Sequence, residues 1–169
     1  MSYLSPRPLS VDDDVDDFEC RSHEQTSWLS QHAKQSVAAS ATRVFVVTQE
    51  DGGPVVAYYA WTMAQLHATQ APARLTKGSG RYPQPVALLA WLGVDRRHEG
   101  RGIGAALLRD VITRLLLVAE TIGCRGLVIH AEDDEARSFY LHLIPELEQS
   151  PTDRLHLVLL LKDAIRTIR

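Results

Sequence analysis

The chain has 169 residues, 45 % hydrophobic and 23 % charged, enough for one compact unit burying about 70 % of its unfolded surface and far from disordered or collagen-like composition. Its 18 Lys and Arg against 21 Asp and Glu give a net charge of −3, which argues against an obligate nucleic-acid coat protein. Cys20 and Cys124 have no CxxC partner and no paired histidine spacing, so neither a disulfide framework nor a metal site is expected.

Residues 1–25 are acidic where a signal peptide would be basic and then apolar, and the most apolar runs, Val86 to Val94 and Leu115 to Ala119, fall short of a membrane span. A cytoplasmic chain with no membrane partner is expected. Ser22-x-x-Gln25 has capping-box spacing, and Trp28, Leu29, His32 and Ala33 recur at helical intervals, which predicts a helix over about 23–39. Thr42 to Thr48 and Val55 to Thr62 are β-like runs around the turn residues Glu50-Asp-Gly-Gly-Pro54, an antiparallel hairpin. Residues 65–85, with Lys77-Gly-Ser-Gly80 near their centre, read as one long loop.

Val86 to Val94 reads as a central strand buried on both faces. Ile103, Leu107, Leu108, Val111, Leu115, Val118, Ala119 and Ile122 then form one helical stripe that ends at Gly123 in the position of a C-terminal cap. Leu127 to Ala131 is a short strand, Asp133 to Leu143 a helix whose leading acids suit its dipole, and Leu155 to Leu161 a last strand. The order is a β-rich first half, then βαβα and a final β.

Charge is unevenly distributed along this order. Seven acids in residues 1–25 face only Arg7 and Arg21, a local balance of −5, whereas residues 26–109 carry nine bases and four acids, a balance of +5. No acid occurs from Gly52 to Val94. Such a division is either an uneven solvated surface or one face built for an anion.

The segment Asp95-Arg-Arg-His-Glu-Gly-Arg-Gly-Ile-Gly104 lies between the apolar strand and the long helix. Its glycines place backbone N–H groups at a helix N-terminus, an anion site, although glycine also serves a plain strand-to-helix turn. Gly100-x-Gly102-x-x-Ala105 matches a dinucleotide fingerprint too, with Glu132 as the ribose ligand. However, five residues separate it from the strand and a β-rich half precedes it. No Lys-Ser or Lys-Thr follows, which excludes a Walker loop, and His130-x-Glu132 lacks the Pro-Cys-x-x-Cys half of a zinc deaminase.

Arg97-x-x-Gly100-x-Gly102 after an apolar strand resembles the acyl-CoA-binding motif of the GNAT family of N-acetyltransferases. Phe18-Glu-Cys20, Trp28-Leu29, Val94-Asp95-Arg96-Arg97 and Asp134-Glu-Ala-Arg-Ser-Phe-Tyr140 extend the likeness, over roughly residues 15–163, to a subgroup that acts as toxins on aminoacyl-tRNA. The resemblance implies an α/β (α+β) fold with a central mixed sheet flanked by helices and splayed central strands, in a single domain over 1–169. It implies acetyl-CoA as cosubstrate, bound through Arg97, His98, Gly100, Arg101, Gly102 and Gly104, with Leu92 to Val94 pairing with the pantetheine arm and a backbone N–H near Leu92 or Gly93 steadying the oxyanion. Tyr140 matches the general-acid position, while Ala136, Phe139, Tyr140 and Leu143 also fit an ordinary core stripe.

By the same resemblance the acceptor is the α-amino group of aminoacyl-tRNA. Lys34, Arg74, Lys77, Arg81 and Arg96 are the candidate tRNA contacts, each of which alone also reads as a solvated charge. The implied partner is a small ribbon-helix-helix antitoxin, and a homodimer stays open. A protein or small-amine acetyltransferase, and a CoA-binding module without catalysis, remain as alternatives. Three departures from the subgroup stand out: Trp91 where Arg is usual, Arg21 where Gly is common, and Leu143-Ile-Pro145-Glu-Leu147 in place of Gly-Phe.

Overall fold

The computed structural model describes residues 1–78 and 81–167. They divide into two compact units, each drawn from two stretches of chain: residues 1–62 with 90–110, and 63–89 with 111–167. Three elements, over residues 52–66, 84–94 and 103–121, contribute residues to both.

In the first unit, Ser22 caps α1 (His23–Gln31), its side chain accepting from the N–H of Gln25 at 3.1 Å. The helix expected over 23–39 is interrupted at His32, whose φ of −126° leaves the helical range, and resumes as α2 (Ala33–Ala38). Leu29 and Ala33, four apart, are both fully buried, so the apolar face runs through the break. Ser40 closes α2 at φ 60°, and the N–H of Ala41 bonds Ser36 O in the pattern of a left-handed helix cap.

The expected hairpin is present as β2 (Arg43–Gln49) and β3 (Gly52–Leu66), joined by Glu50 and Asp51 with Gln49 opposite Gly52 at φ 92°. A short strand unseen in the sequence, β1 (Arg7–Pro8), pairs antiparallel with β2 opposite Val46 and Phe45. The unit's strand order is β1-β2-β3-β4, where β4 (Gln84–Val94) contributes its C-terminal half. Phe18, Leu29, Val46, Val55 and Tyr58 anchor the core.

In the second unit the order is β3-β4-β5-β7-β6. Strand β5 (Gly126–His130) runs parallel to β4 through Ala87, Leu88 and Leu89, opposite Leu127, Val128 and Ile129. That ladder ends at the pair Leu89 and Ile129, one residue before β5 itself ends, while β4 continues to Val94. Strand β7 (Asp153–Leu160) is antiparallel to β5 and to β6 (Glu148–Ser150). Gly126 is required where it stands, because a Cβ there would lie 2.3 Å from Leu159 O.

Helix α4 (Ile103–Thr121) buries Leu107, Leu108, Val111, Ile112 and Leu115 as its apolar stripe demands. Ile122, expected on that stripe, lies past the last turn and is exposed. Helix α5 (Asp134–Leu143) is capped by Asp133, which accepts from the N–H of Ala136 at 2.8 Å. The region read as a long loop is shorter. Strand β3 reaches Leu66, and a four-residue helix α3 (Ala73–Thr76) follows. Ala71 and Leu75 are buried there with Val86, Val128 and Val158, apolar burial that a loop reading overlooks. Ser79 and Gly80 of the Lys77–Gly80 run lie outside the described residues. Helix α6 (Leu161–Thr167) ends the described chain. No helix among the described residues is long and apolar enough to cross a membrane.

Candidate functional site

The glycine loop is built around one buried carboxylate. Asp95, 1 % exposed, ends the apolar strand and caps a 3-10 turn at Arg96–His98, accepting from the backbone N–H of Arg97 at 2.9 Å. Its two oxygens also accept from Nε (2.9 Å) and Nη2 (3.1 Å) of Arg97 and from the N–H of Glu19 (3.1 Å). Burial pushes this carboxyl upward, but the bonds from Arg97 and Glu19 and the Arg97 charge outweigh it and hold it down at about 2. Backbone bonds continue the tie: Asp95 N–H to Val56 O at 2.8 Å and Arg96 N–H to Glu19 O at 2.9 Å.

Past the turn, Gly100 and Gly102 take φ 75° and 80°, a conformation L side chains rarely adopt, and a Cβ at either would touch nothing within 4 Å. Backbone geometry alone therefore demands these glycines. The first intrahelical bond of α4 runs from the N–H of Ala106 to Gly102 O, so the N–H groups of Ile103, Gly104 and Ala105 have no partner within the helix. With Arg96 and Arg101 exposed beside them, they offer an anion site of the kind a pyrophosphate fits. Arg97, expected from sequence among the phosphate contacts, instead has both its backbone N–H and its guanidinium engaged by Asp95. Leu92 and Val94 alternate with Gly93 on the strand that leads in. Gly93 is packed so closely that a Cβ would lie 3.1 Å from Gln25 Oε1 and 3.2 Å from Cys20 Sγ.

The turn is held from outside as well. His98 Nδ1 lies 2.8 Å from the hydroxyl of Tyr3, and Arg21 pairs with Glu99 at 3.2 Å. Neither Tyr3 nor Asp95 was a candidate from sequence. The signal for Asp95 was present, an acid ending an apolar strand two residues before an arginine, whereas Tyr3 offered none. Trp91 stacks on Trp28 with ring centroids 5.9 Å apart, and Trp28 stacks on Tyr58 at 6.1 Å, so Trp91 packs within the first unit's aromatic cluster.

Tyr140 belongs to the second unit. It is buried on α5, and burial together with the charge of Glu132 raises its hydroxyl well above the usual tyrosine range. Such a group stays protonated at neutral pH, and its burial makes it a weaker acid than an exposed tyrosine. The core-stripe alternative is only half met, since Phe139 on the same helix is exposed while Tyr140 is not.

The five basic candidates fall into two classes. Lys34 and Arg96 lie in the first unit, and Lys34 Nζ donates to the carbonyls of Val11 and Asp13 at 2.9 and 2.7 Å. Arg74, Lys77 and Arg81 lie in the second, where Arg74 pairs with Asp163 at 2.9 Å and with Glu148 at 3.2 Å. Lys77, Arg81 and Arg96 are exposed. The described residues contain no group of three or more His, Cys, Asp or Glu able to hold a metal ion.

Residues 11–143 match the model of the Acetyltransferase (GNAT) family. A tRNA-acetylating toxin of Mycobacterium tuberculosis is 41 % identical over 162 residues, covering 96 % of this chain and 95 % of that one. The structure of AtaT complexed with acetyl-methionyl-tRNAfMet superposes with a TM-score of 0.87 at 18 % identity, covering 99 % of this chain and 100 % of that one. A Tyr-to-Phe variant of AtaT, bound to the C-terminus of the antitoxin AtaR and to acetyl-CoA, gives 0.80 at 18 % identity, covering 97 % and 96 %. At that identity the two structures speak for the fold.

Proposed function

This chain belongs to the acetyltransferase (GNAT) family, and from that premise we propose that it transfers the acetyl group of acetyl-CoA to the α-amino group of an aminoacyl-tRNA. It thereby acts as a translation-blocking toxin that a small antitoxin neutralises. The observation that carries this reading is the 41 % identity, along nearly the whole of both chains, to a toxin named for acetylating tRNA. AtaT, of the same fold, supports it with complexes that contain acetyl-methionyl-tRNA, acetyl-CoA and an antitoxin. The antitoxin is of the ribbon-helix-helix type in this reading, and the toxin works in the cytoplasm, where its substrate is.

Acetyl-CoA supplies an acetyl thioester activated for attack by an amine. The chain's own contributions are to bind an anion, to hold a carbonyl oxygen and to deliver a proton. The N–H groups of Ile103, Gly104 and Ala105, with His98, Gly100, Arg101 and Gly102 around them, bind the pyrophosphate, while Arg97, paired with Asp95, shapes the turn that leads to them. The end of the β4–β5 ladder at Leu89 supports pairing of the pantetheine arm along Leu92 to Val94. An N–H near Leu92 or Gly93 donates to the thioester oxygen as negative charge develops there.

The C–N bond forms as the C–S bond breaks, Tyr140 gives its proton to the sulfur, and water takes the proton the amine loses. An α-amine titrates near about 7.7–8.0, so a useful fraction is neutral without a strong base. Lys77, Arg81 and Arg96 are the contacts to tRNA phosphates in this reading, because all three are exposed and none forms an ion pair with an acid among the described residues.

The test is to incubate the pure protein with labelled acetyl-CoA and charged total tRNA and to follow the label. Label on aminoacyl-tRNA is expected, whereas label on protein or polyamines, or none, overturns the reading. Tyr140→Phe should fold and bind acetyl-CoA normally while turnover falls by about 100-fold or more. Retention of most turnover would remove Tyr140 from its role.

A further inference from the structure

The N-terminal nine residues are sewn along the edge of β2. The N–H of Leu4 bonds Thr48 O at 3.0 Å, that of Glu50 bonds Ser2 O at 2.9 Å, and that of Leu9 bonds Val44 O at 2.9 Å. Tyr3 bridges to Gln49 within this seam. The seam brings the Tyr3 ring edge-on to His98, with centroids 5.6 Å apart, and its hydroxyl to 2.8 Å from Nδ1. His98 is the last residue of the 3-10 turn that delivers the chain to Gly100 and Gly102.

We propose that Tyr3 is a positioning residue for the acetyl-CoA phosphates: its hydroxyl donates to Nδ1 of His98, fixing the neutral ring as the Nε2–H tautomer so that Nε2–H serves as a phosphate donor on the glycine loop. The inference rests on the acetyl-CoA reading of that loop. A neutral imidazole has one N–H, and the bond made by one nitrogen decides which carries it. The hydroxyl has a second neighbour, Met1 Sδ at 3.8 Å, but a thioether is a weak acceptor and the imidazole nitrogen is 1.0 Å nearer. With its O–H directed at an unprotonated Nδ1 the phenol makes a strong bond, and the single hydrogen of the neutral ring then sits on Nε2. The edge-on contact holds the ring plane, so direction and protonation are set together. An N-terminal segment far from the loop in sequence thus preorganises one of its donors.

Three measurements test this on the full chain. Nitrogen-15 shifts of the His98 ring in the free protein should report the Nε2–H tautomer, and Tyr3→Phe, which keeps the ring contact, should move them toward a mixture. The same variant should weaken CoA binding by roughly 5-fold, the loss of about one ordinary hydrogen bond, while kcat/KM for acetyl-pantetheine, which carries no phosphate, changes less than about 2-fold. His98→Gln keeps a donor at the Nε2 position without help from Tyr3, so adding Tyr3→Phe to it should cost CoA affinity less than about 2-fold. An Nδ1–H tautomer in the wild type, unchanged CoA affinity in Tyr3→Phe, or an equal loss with acetyl-pantetheine would overturn the proposal. Failure of the wild-type chain to bind CoA at all would overturn the acetyl-CoA reading, and this one with it, before any substitution is made.

Discussion

Each unit contains one buried aspartate held by arginine, and the two are held differently. Asp95 in the first unit accepts two backbone N–H groups, from Arg97 and Glu19, besides the Arg97 guanidinium. Asp163 in the second accepts guanidinium groups from Arg74 at 2.9 and 3.2 Å and from Arg166 at 2.8 Å. A carboxylate that binds backbone dictates the path of the chain, and here that path is the entry to the glycine loop. A carboxylate that binds side chains fixes where they lie, and here it holds α3 to α6 while engaging the Arg74 charge. An arginine counted in a basic stretch of sequence is therefore not always a charge available to a partner.

The largest effect that would break this comparison is at Asp95. Asp95→Ala leaves two backbone N–H groups without their acceptor, and a loss of about 3 kcal/mol is expected in urea unfolding. Acetyl-CoA binding should fail even at temperatures where the variant is folded. Asp163→Ala should cost about 2 kcal/mol, because no backbone group is orphaned, and should leave acetyl-CoA affinity within about 2-fold of wild type. Equal loss of affinity in both variants would erase the distinction between a loop-shaping and a side-chain-holding carboxylate.

Acid titration sharpens it on a smaller scale. Asp95 is held at about 2 in the folded state, below the free carboxyl, so its stabilisation is complete above about pH 4 and is lost as pH falls through about 2. About 1–2 kcal/mol is expected from it, discounted for solvent on the Arg97 side chain, which is 65 % exposed. Asp163 is also lowered, chiefly by its hydrogen bond to Arg74, and contributes with the same sign. Urea midpoints measured from pH 5 to pH 2 should fall less steeply for Asp95→Asn than for the wild type. Parallel curves would show that the Asp95 pairing carries no pH-dependent stability.

Much of the fold could be read from spacing, because its longer elements bury one face. The Leu107 to Leu115 stripe, the Val86 to Val94 run and the hairpin around Gly52 all leave periodic or turn signals that survive without tertiary context. What escaped was set by tertiary pairing. Strand β1 is two residues containing a proline, and β6 is three polar residues, so neither carries a period. The 65–85 stretch misled because Ala71 and Leu75 are isolated apolar residues among turn formers, and their burial depends on partners as distant as Val158. At the glycine loop the sequence identified the backbone features, Gly100 and Gly102, since positive φ leaves glycine as its mark. It did not identify what holds them. The N–H of Glu19 and the hydroxyl of Tyr3 reach Asp95 and His98 across 76 and 95 residues of chain, and no local pattern encodes such contacts.

The smallest effect separates the bases held by Asp163 from those that are not. Each Lys or Arg that neutralises a phosphate of single-stranded RNA lowers the slope of log K against log salt by about 0.7, and only while its charge is free to do so. Lys77→Ala with Arg81→Ala should thus flatten the slope for tRNA binding by roughly 1.4 and leave the unfolding midpoint unchanged. Arg74→Gln should do the reverse: the slope stays, and the midpoint falls because Asp163 and Glu148 lose a shared partner. The contrast holds because one arginine cannot make a bidentate pair with Asp163 and a full contact to phosphate at once. A flattened slope in Arg74→Gln would mean that tRNA displaces the Asp163 pair, and the distinction between the two aspartates would then belong to the free protein alone.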